Sequence, residues 1–505
     1  MVVPVEKSIA TYEIDRKFIE LFPADFVQEK IVIPLKADPH KILVGAAAPP
    51  EQATIEDIKL LTGREVHIAI YDESEILDKI SESYEVTVES MIEGLSPEDQ
   101  AAIDDGNLHS IEVMANEPTV VNLVNLILSS AIQERASDIH LVPYEEKLEL
   151  RYRIDGILQE QSPPPRKLHA AVISRLKIMA DMNIAERFVP QDGHIQIQHK
   201  GSRIDIRVGT MPTVHGESMV LRLLEKSSNI SSPADMGLGK ERGEILEQLI
   251  AKPHGIYLTT GPTGSGKTTT LYSLLQSIYD PGKKIITIED PVEYEMNGVA
   301  QIPVRPSRGL SFAAGLRAIL RQDPDIVMVG EIRDSETAEI AIRAALTGHQ
   351  VFSTLHTNDS AGAITRLVDM GIEPFLISSA LEVVLAQRLV RKLCGNCIHK
   401  KSPEESQILQ FKQAGLDVSQ DSYFSSKGCD ECHNIGYKGR VGVFELLPIN
   451  SDLREMIIQK KSSGEIKEAA KRGMLSIRQD ALEKARNGIT SLEEVIRVTA
   501  GDHEE

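Results

Sequence analysis

The sequence has little cysteine, no long apolar run and a deficit of positive charge. Four cysteines in 505 residues are too few for the disulfide framework of a secreted protein, and they favour a reducing compartment. The most apolar stretch, Val120–Ile132, is interrupted by two asparagines and two serines, and it is shorter than the roughly 18 residues that a membrane-spanning helix needs. It predicts an amphipathic core helix instead. The first residues lack the basic and apolar regions of a signal peptide, so we expect a cytoplasmic protein.

Positive charge is scarce, because 55 Lys and Arg face 75 Asp and Glu, for a formal net charge of −20. The electrostatic field of a negatively charged protein repels the phosphate backbone of DNA or RNA. The net charge therefore predicts that nucleic acid is not a partner. The charge is also uneven. Residues 1–120 carry 9 basic and 25 acidic residues, whereas the other 385 residues carry 46 and 50. The acidity therefore belongs mainly to the N-terminal end.

The composition is that of a folded protein of several domains. Apolar residues make up 41% and charged residues 26% of the chain, and a typical domain holds about 150 residues. Strand-like runs at 30–35 and 40–47 and a helical pattern at 54–63 predict a small α/β module at the start, and alternating runs at 147–156, 194–198 and 202–210 predict a second one. The predicted segments are an N-terminal docking module over 1–85, an acidic linker over 86–117, a second α/β module over 118–225, a flexible Ser-, Gly- and Pro-rich connection over 226–240, a βαβ region over 241–390, a cysteine-bearing segment over 391–440 and a helical part over 441–505.

A glycine-rich loop between a β-rich run and a helical pattern predicts a phosphate-binding site. The run 255–279 contains G-x-x-x-x-G-K-T, a P-loop in its required context, which argues against a chance glycine turn. Its backbone N–H groups and the following helix N-terminus would bind phosphates, Lys267 would reach the β and γ phosphates, and the Thr268 hydroxyl would bind Mg²⁺. Nucleotide contacts are predicted for Gly261, Pro262, Thr263, Gly264, Ser265, Gly266, Lys267, Thr268 and Thr269.

Two β-rich runs after this loop end in acidic residues. The first is followed by Glu289, Asp290 and Glu293, and the second by Glu331. A single acid at a strand end is more often an ordinary polar exit, but in an open α/β sheet these ends face the ligand crevice. We therefore predict that Glu331, and at least one of Glu289 and Glu293, holds Mg²⁺ or orients the attacking water, without assigning which does which.

Histidines and arginines near these runs are weaker candidates. His349 and His356 flank an apolar run, where a lone histidine is more often a hydrogen-bonded core residue. A surface arginine is usually a solvated charge, yet phosphoryl transfer commonly uses an arginine from a moving domain or a neighbouring subunit. The arginines near the second module's strands and the last acidic run are Arg203, Arg207, Arg222, Arg317, Arg321 and Arg333.

All four cysteines lie in two C-x-x-C pairs, Cys394 with Cys397 and Cys429 with Cys432, separated by 31 residues. Two such pairs supply the four thiolates of a structural Zn²⁺ site, which leaves no open position for catalysis. A redox pair or free thiols are the alternative, but a dithiol enzyme needs only one C-x-x-C. The loop between the pairs has little core of its own, so metal would supply much of its folding energy.

Several motifs together resemble the type II/type IV secretion ATPase superfamily, and most closely its type II secretion (general secretion pathway) ATPases. The chain carries GPTGSGKTTT (Walker A), IEDPVEY (Asp box), GLRAILRQDPDIVMVGEIRD (Walker B region) and TGHQVFSTLHTND (His box). Upstream, SDIHLVPYEEKLELRYRIDG and RVGTMPTVHGESMVLRLL resemble the second N-terminal domain of that family. Residues 1–85 resemble its first domain less specifically.

The resemblance implies an α/β fold, in which a RecA-like P-loop NTPase motor domain follows two α/β N-terminal domains and precedes a zinc-bearing, mostly helical C-terminal part. It implies catalytic roles for Lys267, Glu331, Glu289, Glu293, His356, Arg207, Arg222, Arg317 and Arg333. Gly330 stands where many P-loop enzymes carry an aspartate, which makes Glu331 the important acid of Walker B.

The resemblance further implies a hexameric cytoplasmic ATPase that uses ATP, Mg²⁺ and Zn²⁺ to power pseudopilus assembly and protein export. The implied partners are the cytoplasmic domain of an inner-membrane secretion component, bound through the first module, and an inner-membrane platform protein, which would place the chain peripherally at that membrane. Type IV pilus extension is the close alternative, although the first module lacks an evident R-L-G nucleotide-binding signature. The four cysteines disfavour a retraction ATPase, which lacks such an insert, and the negative charge disfavours DNA uptake or conjugation. A nucleotide-dependent scaffold with negligible hydrolysis is the third reading.

Overall fold

The computed structural model describes most of residues 30–79, scattered positions before residue 30, and residues 114–199, 202–225, 232–419, 422–471 and 473–500. The predicted acidic linker over 86–117 lies almost entirely outside these residues. Among the helices of the described part, none is both long and apolar enough to cross a membrane.

The first module is a four-stranded sheet with a crossover helix. Strands β3 and β4 are parallel on either side of the helix, β2 pairs antiparallel with β3, and the strand order is β1-β4-β3-β2. The elements are β1 (Val2–Val3), β2 (Val32–Ala37), β3 (Lys41–Ala46), α1 (Gln52–Thr62) and β4 (Glu65–Ile70). The strands bury β-branched side chains such as Ile33, Ile42 and Ile68, which confirms the short strand and helix patterns predicted here.

The second module is a six-stranded antiparallel sheet with two helices, in the strand order β7-β6-β5-β10-β9-β8. Its elements are α2 (Pro118–Gln133), β5 (Asp138–Pro143), β6 (Leu148–Ile154), β7 (Ile157–Gln161), α3 (His169–Met179), β8 (Gln191–His199), β9 (Ser202–Thr213) and β10 (Gly216–Glu225). Helix α2 is the apolar stretch of the sequence, and it buries Leu123, Ile127 and Ala131 in the core of this module. The prediction of an amphipathic core helix is therefore confirmed.

The motor region is a seven-stranded sheet in the order β13-β12-β14-β15-β11-β16-β19, parallel except for its last pair. Strands β11, β12, β14 and β15 are buried along their whole length, as expected for a parallel sheet covered by helices. Its elements before the cysteine segment are α4 (Lys240–Ile250), β11 (Gly255–Thr260), α5 (Lys267–Ser277), β12 (Ile285–Glu289), β13 (Val299–Pro303), α6 (Phe312–Ile319), β14 (Ile326–Val329), α7 (Ser335–Leu346), β15 (Gln350–Leu355), α8 (Ser360–Asp369), α9 (Pro374–Ala380) and β16 (Leu381–Leu393).

The cysteine segment is an insertion between two strands of the motor sheet. It contains β17 (Ile398–Lys401), α10 (Glu405–Gln413) and β18 (Tyr423–Ser426), and the chain then returns along β16 as β19 (Tyr437–Pro448). Strand β19 crosses the boundary that the sequence suggested at residue 440, because Val443, Phe444 and Leu447 are needed in the core of the motor. The chain ends in helices α11 (Ser451–Ile458), α12 (Ser463–Ala470), α13 (Ile477–Arg486) and α14 (Leu492–Thr499).

The connection between the second module and the motor differs from its prediction. Composition predicts a flexible segment over 226–240, but in its described part, 232–240, Ala234–Leu238 forms a short π-helical segment that packs on β19, and α4 begins at Lys240. Leu238 is buried there, and Gly237 has a φ of +107°. Glycine is needed at 237 because the backbone there lies directly against β19.

Candidate active site

The glycine-rich loop between β11 and α5 forms a cradle of backbone N–H groups. Gly264 and Gly266 have φ values of +78° and +89°, which L side chains rarely adopt. A Cβ at Gly261 would collide with the carbonyl oxygen of Gln387, so glycine is also required there by space. The Ser265 hydroxyl is buried and has no hydrogen-bond partner among the described residues. A backbone cradle with an unpaired buried donor fits a phosphate group.

Lys267 lies over this cradle with its ammonium turned to the loop. Its Nζ donates to the carbonyl oxygens of Gly261 at 2.8 Å and Pro262 at 3.0 Å. Burial lowers the pKa of Lys267, and the negative charge of Glu331 opposes that shift. Phosphate oxygens would offer this ammonium stronger partners than the two carbonyls do.

The rest of the loop is open to solvent. Pro262, Thr263 and Thr269 are exposed and Thr268 is half-exposed. Beneath the loop, Gln387 of β16 accepts a hydrogen bond from Thr270 Oγ1 at 2.6 Å. The P-loop motif does not predict a contact with Gln387, because this residue comes from a strand more than 100 residues downstream.

Glu331 is the centre of a charged cluster at the carboxyl ends of two neighbouring strands. It follows β14, and His356 follows the adjacent strand β15. Glu331 Oε2 lies 3.0 Å from His356 Nε2, and Oε1 accepts a hydrogen bond from Arg333. Burial opposes ionisation of Glu331, but the hydrogen bonds from Arg333 and His356 outweigh it and lower its pKa. Arg333 also lies 3.5 Å from Asp290 Oδ2, so the cluster joins the Asp box, Walker B and the His box.

The two other predicted acids have different surroundings. Glu289 is 2% exposed and accepts hydrogen bonds from Thr287 Oγ1 at 2.5 Å, from Gln301 Nε2 at 3.1 Å and from the Tyr272 hydroxyl. Burial raises the pKa of the Tyr272 hydroxyl well above its usual range, and the hydrogen bond to Glu289 and the negative charge of Glu289 raise it further. Glu289 therefore braces α5 from within the core.

Glu293 contacts the second module. Its Oε2 lies 3.3 Å from Arg207 Nη2, and Arg207 also reaches the carbonyl oxygen of Val292 at 3.4 Å. Both side chains are about one-third exposed. An arginine of the antiparallel sheet thus reaches the Asp box of the motor.

The remaining arginines have partners outside the Glu331 cluster. Arg222 lies opposite Arg207 in the β9–β10 ladder, and its Nε donates to Asp138 Oδ1 at 2.8 Å. Burial opposes ionisation of Asp138, but hydrogen bonds from Arg222 and Ser137 lower its pKa. Arg317 forms an ion pair with Glu336 at the start of α7.

Three other sequence candidates make local contacts. Arg203 lies 3.8 Å from Asp205, and Arg321 donates to the carbonyl oxygen of Arg317 at 2.9 Å. His349 Nδ1 lies 2.9 Å from the carbonyl oxygen of Ala344 at the end of α7. This is the ordinary hydrogen-bonded histidine that the sequence favoured.

The four cysteines form one cluster. Their sulfur atoms lie within 4.8 Å of one another, with Cys394–Cys429 at 3.8 Å and Cys397–Cys432 at 3.9 Å. A zinc tetrahedron with Zn–S bonds of about 2.3 Å has sulfur–sulfur edges of about 3.8 Å. Backbone N–H groups of Cys429 and Gly436 also donate to Cys432 Sγ, at 3.3 and 3.2 Å. The four thiols are free, so the arrangement is a candidate metal site rather than a pair of disulfides.

Comparison with known proteins agrees with this geometry. Residues 114–497 match the family described as type II/IV secretion system protein, and residues 3–90 match the MshEN domain. The type IV pilus assembly ATPase PilB of Myxococcus xanthus is 41% identical over 504 residues, which cover 98% of this chain and 89% of that protein. Type II secretion system protein E of Pseudomonas aeruginosa is 44% identical over 456 residues, covering 89% and 90%.

A solved structure is similar to this chain as well. The pilus retraction motor PilT with bound ADP superposes with a TM-score of 0.51 and 28% identity, covering 74% of this chain and 95% of that one. The match to the secretion family spans most of the chain and includes the P-loop, the Glu331 cluster and the four cysteines. The chain therefore belongs to the type II/IV secretion ATPase family, and it is an ATP hydrolase.

Proposed function

We propose that the chain is the motor of a type II secretion system, and that it hydrolyses ATP as a homohexamer to power pseudopilus assembly and protein export. The observation that carries this proposal is that Arg207, from a separate module, reaches Glu293 of the Asp box, whose Asp290 in turn lies 3.5 Å from Arg333 of the Glu331 cluster. A nucleotide bound between two modules can change their relative position as it is hydrolysed, which is what a mechanical ATPase needs.

The P-loop and the Glu331 cluster have separate roles in this proposal. The loop 261–269 would hold the phosphates of ATP, and the Thr268 hydroxyl with an acid of the site would hold Mg²⁺, which would neutralise phosphate charge. Lys267 would exchange its two carbonyl partners for phosphate oxygens. Glu331 would orient the attacking water, with His356 and Arg333 holding its carboxylate in place.

The arginines would act on the charge that develops on the transferred phosphoryl group. Arg333 lies in the cluster itself and Arg207 already reaches Glu293 of the Asp box. Arg222 and Arg317 would have to leave Asp138 and Glu336, respectively, to take part. The half-exposed positions of both side chains leave room for that exchange in a moving or assembled state.

The four cysteines would hold a structural Zn²⁺ ion. The sulfur spacing and the N–H groups that donate to Cys432 support a closed thiolate set. In this role the metal stabilises the insertion between β16 and β19 and takes no part in hydrolysis.

The first module would bind the cytoplasmic domain of an inner-membrane secretion component, and the motor would act on an inner-membrane platform protein. The match of residues 3–90 to a domain separate from the motor supports a docking role. The chain would then work in the cytoplasm, held at the inner membrane through its partners.

Type IV pilus extension is the second candidate, since relatives from both branches match at 41% and 44% identity. Deleting the gene in its host separates the two. Loss of exported proteins from the medium with surface pili retained is expected for secretion. Loss of pili with export intact would establish pilus extension instead.

The hydrolysis itself is tested with Lys267→Ala. We expect Mg²⁺-dependent release of phosphate from ATP by the purified full chain, and loss of nearly all turnover in the variant, because Lys267 is the cation at the phosphate cradle. Equal turnover by both proteins would contradict the site. Negligible turnover by the wild type, with and without membrane partners, would support a nucleotide-dependent scaffold.

A further inference from the structure

Three parts of the chain meet at the start of β19, over Tyr437–Gly442, which we call the β19 joint. The first is Asp155, in the turn between β6 and β7 of the second module. Its Oδ2 accepts a hydrogen bond from the Gly439 N–H at 2.7 Å, and its Oδ1 lies 3.6 Å from Arg440 Nε. Asp155 and Gly156 have φ values of +48° and +86°, as in a tight turn tip. The carboxylate of Asp155 is thus one of the points at which the second module contacts the motor.

The second part is the connection between the two regions. A Cβ on Gly237 would lie 2.5 Å from Val441 Cγ2 and 2.7 Å from the carbonyl oxygen of Gly442. The backbone that joins the second module to the motor therefore crosses β19 next to the residues that bind Asp155.

The third part is the cysteine cluster. Gly436 donates its N–H to Cys432 Sγ at 3.2 Å and accepts a hydrogen bond from the Cys394 N–H at 2.9 Å. The next residue, Tyr437, stacks on Arg391 at 4.0 Å and its hydroxyl lies 2.7 Å from Ser491 Oγ. The cysteine cluster is therefore hydrogen-bonded directly to Gly436, the residue that precedes the β19 joint.

The sheet of the second module connects this joint to Arg207. Arg153 lies two residues before Asp155 and pairs opposite Asp138 on β5. Asp138 in turn lies opposite Arg222 on β10, and Arg222 lies opposite Arg207 on β9. A continuous antiparallel ladder thus runs from the turn at Asp155 to the arginine that contacts Glu293.

We propose that Asp155 is a positioning residue, which seats the second module on the β19 joint and thereby places Arg207 at the Asp box. Because Gly436, which immediately precedes the joint, is hydrogen-bonded to the cysteine cluster, the metal content of the cluster also controls this seating. The inference rests on the proposed role of Arg207 in hydrolysis. A sheet that is held at both Asp155 and Arg207 has less freedom to turn than a sheet that is held at Arg207 alone.

Asp155→Ala tests the seating directly by hydrogen–deuterium exchange of the metal-loaded full chain. Faster exchange is expected at 436–440, where the Gly439 N–H loses its acceptor, and at 153–157. Asp155→Asn keeps an oxygen for Gly439 but loses the charge facing Arg440, so it should fall between wild type and Asp155→Ala. Glu160→Gln, an exposed change on neighbouring β7, is the matched control and should exchange like wild type. Unchanged exchange in Asp155→Ala would overturn the proposal.

Kinetics test the connection to Arg207. Asp155→Ala should lower kcat roughly 10- to 100-fold while the KM for ATP changes little, because the P-loop is intact and only a transition-state contact is displaced. In an Arg207→Ala background the same change should have no further effect. If Asp155→Ala lowered kcat by the same factor in the Arg207→Ala background as in the wild type, Asp155 would not act by positioning Arg207. Full turnover by Arg207→Ala alone would contradict the proposed role of that arginine, while the exchange data still decide the seating.

Metal removal tests whether the cysteine cluster controls the seating of the second module. Full chain stripped of metal with a chelator should show faster exchange at 153–157 in the second module, as Asp155→Ala does, and re-addition of Zn²⁺ should reverse it. Faster exchange confined to 394–436 would show that the cluster does not control the module.

Discussion

Glu331 shows how a partly buried carboxylate can stay charged in this site. Burial alone would favour the neutral acid, yet hydrogen bonds from Arg333 and His356 lower its pKa, and the ammonium of Lys267 lies within its electrostatic reach. Because the pKa of Glu331 is lowered from its usual value, the carboxylate is ionised at neutral pH. A group with these partners can orient a water by accepting its hydrogen bond.

Glu331→Gln should therefore lower kcat by about 10²-fold or more, because glutamine keeps the shape but loses the charge. ATP affinity should stay close to wild type, since the P-loop is unchanged. Glu339→Gln is the matched control, because Glu339 lies on α7 in an exposed ion pair with Arg343. Phosphate release and nucleotide binding by the purified proteins check both, and a Glu331→Gln protein with wild-type turnover would contradict the role.

Sequence spacing predicted that acids would gather at the ends of β12 and β14, but it did not distinguish between them. Glu289 and Glu331 both follow buried strands, yet Glu289 is enclosed by Thr287, Tyr272 and Gln301 whereas Glu331 faces His356. The difference comes from residues on other elements, which a strand-end pattern does not contain.

At the scale of elements, the local patterns predicted helices and strands well and their partners less well. The parallel core strands are continuous apolar runs, and the second module's strands alternate. The return of the chain as β19 was not predicted, because its pairing with β16 spans the whole cysteine insertion. Such long-range pairing depends on tertiary contacts rather than on local periodicity.

Cys397→Ser should reduce the metal content from about one ion per chain to well below it, because a closed zinc site needs four thiolates. Nucleotide affinity should be kept, since the P-loop lies on other elements. The matched control is His399→Ala, two residues from Cys397 and outside the sulfur cluster. Elemental analysis and nucleotide titration check the result, and full metal content in the serine variant would exclude Cys397 as a ligand.

Glu494 joins helix α14 to strand β16 and makes the C-terminal part sensitive to acid. Burial opposes its ionisation, but hydrogen bonds from Arg497 and Arg391 lower its pKa from the usual 4.5 to about 2. Because the folded-state pKa is lowered, this stabilisation is full above the usual value and is lost as the pH falls toward about 2.

Glu494→Gln should cost about 3 kcal/mol at pH 7, as expected when one partner of a buried ion pair is removed. The difference from wild type should shrink between about pH 4.5 and pH 2, where the wild-type carboxylate takes up its proton. Thermal unfolding at pH 7 and pH 3 checks this, with Glu339→Gln, a change in the exposed ion pair with Arg343, as control. A difference that grew in acid would contradict the lowered pKa.

At the scale of the whole molecule, the charge separates the N-terminal end, for which we propose a docking role, from the motor. Residues 1–120 hold 25 acidic and 9 basic residues, while the other 385 residues are nearly balanced. A net charge so concentrated at one end has little bearing on ATP binding at the P-loop. It is suited to long-range attraction of a basic surface on a membrane partner.

Deleting residues 1–85 should therefore abolish binding to everted inner-membrane vesicles that carry the secretion components, while the basal ATP hydrolysis of the motor is kept. Binding of the full chain should weaken as salt is raised, because the attraction between exposed charges is screened over about 10 Å at 0.1 M salt. Vesicles from a strain without the secretion genes are the control for nonspecific adsorption. Co-sedimentation measures binding, and a truncated chain that binds the loaded vesicles as well as the full chain would show that another surface docks at the membrane.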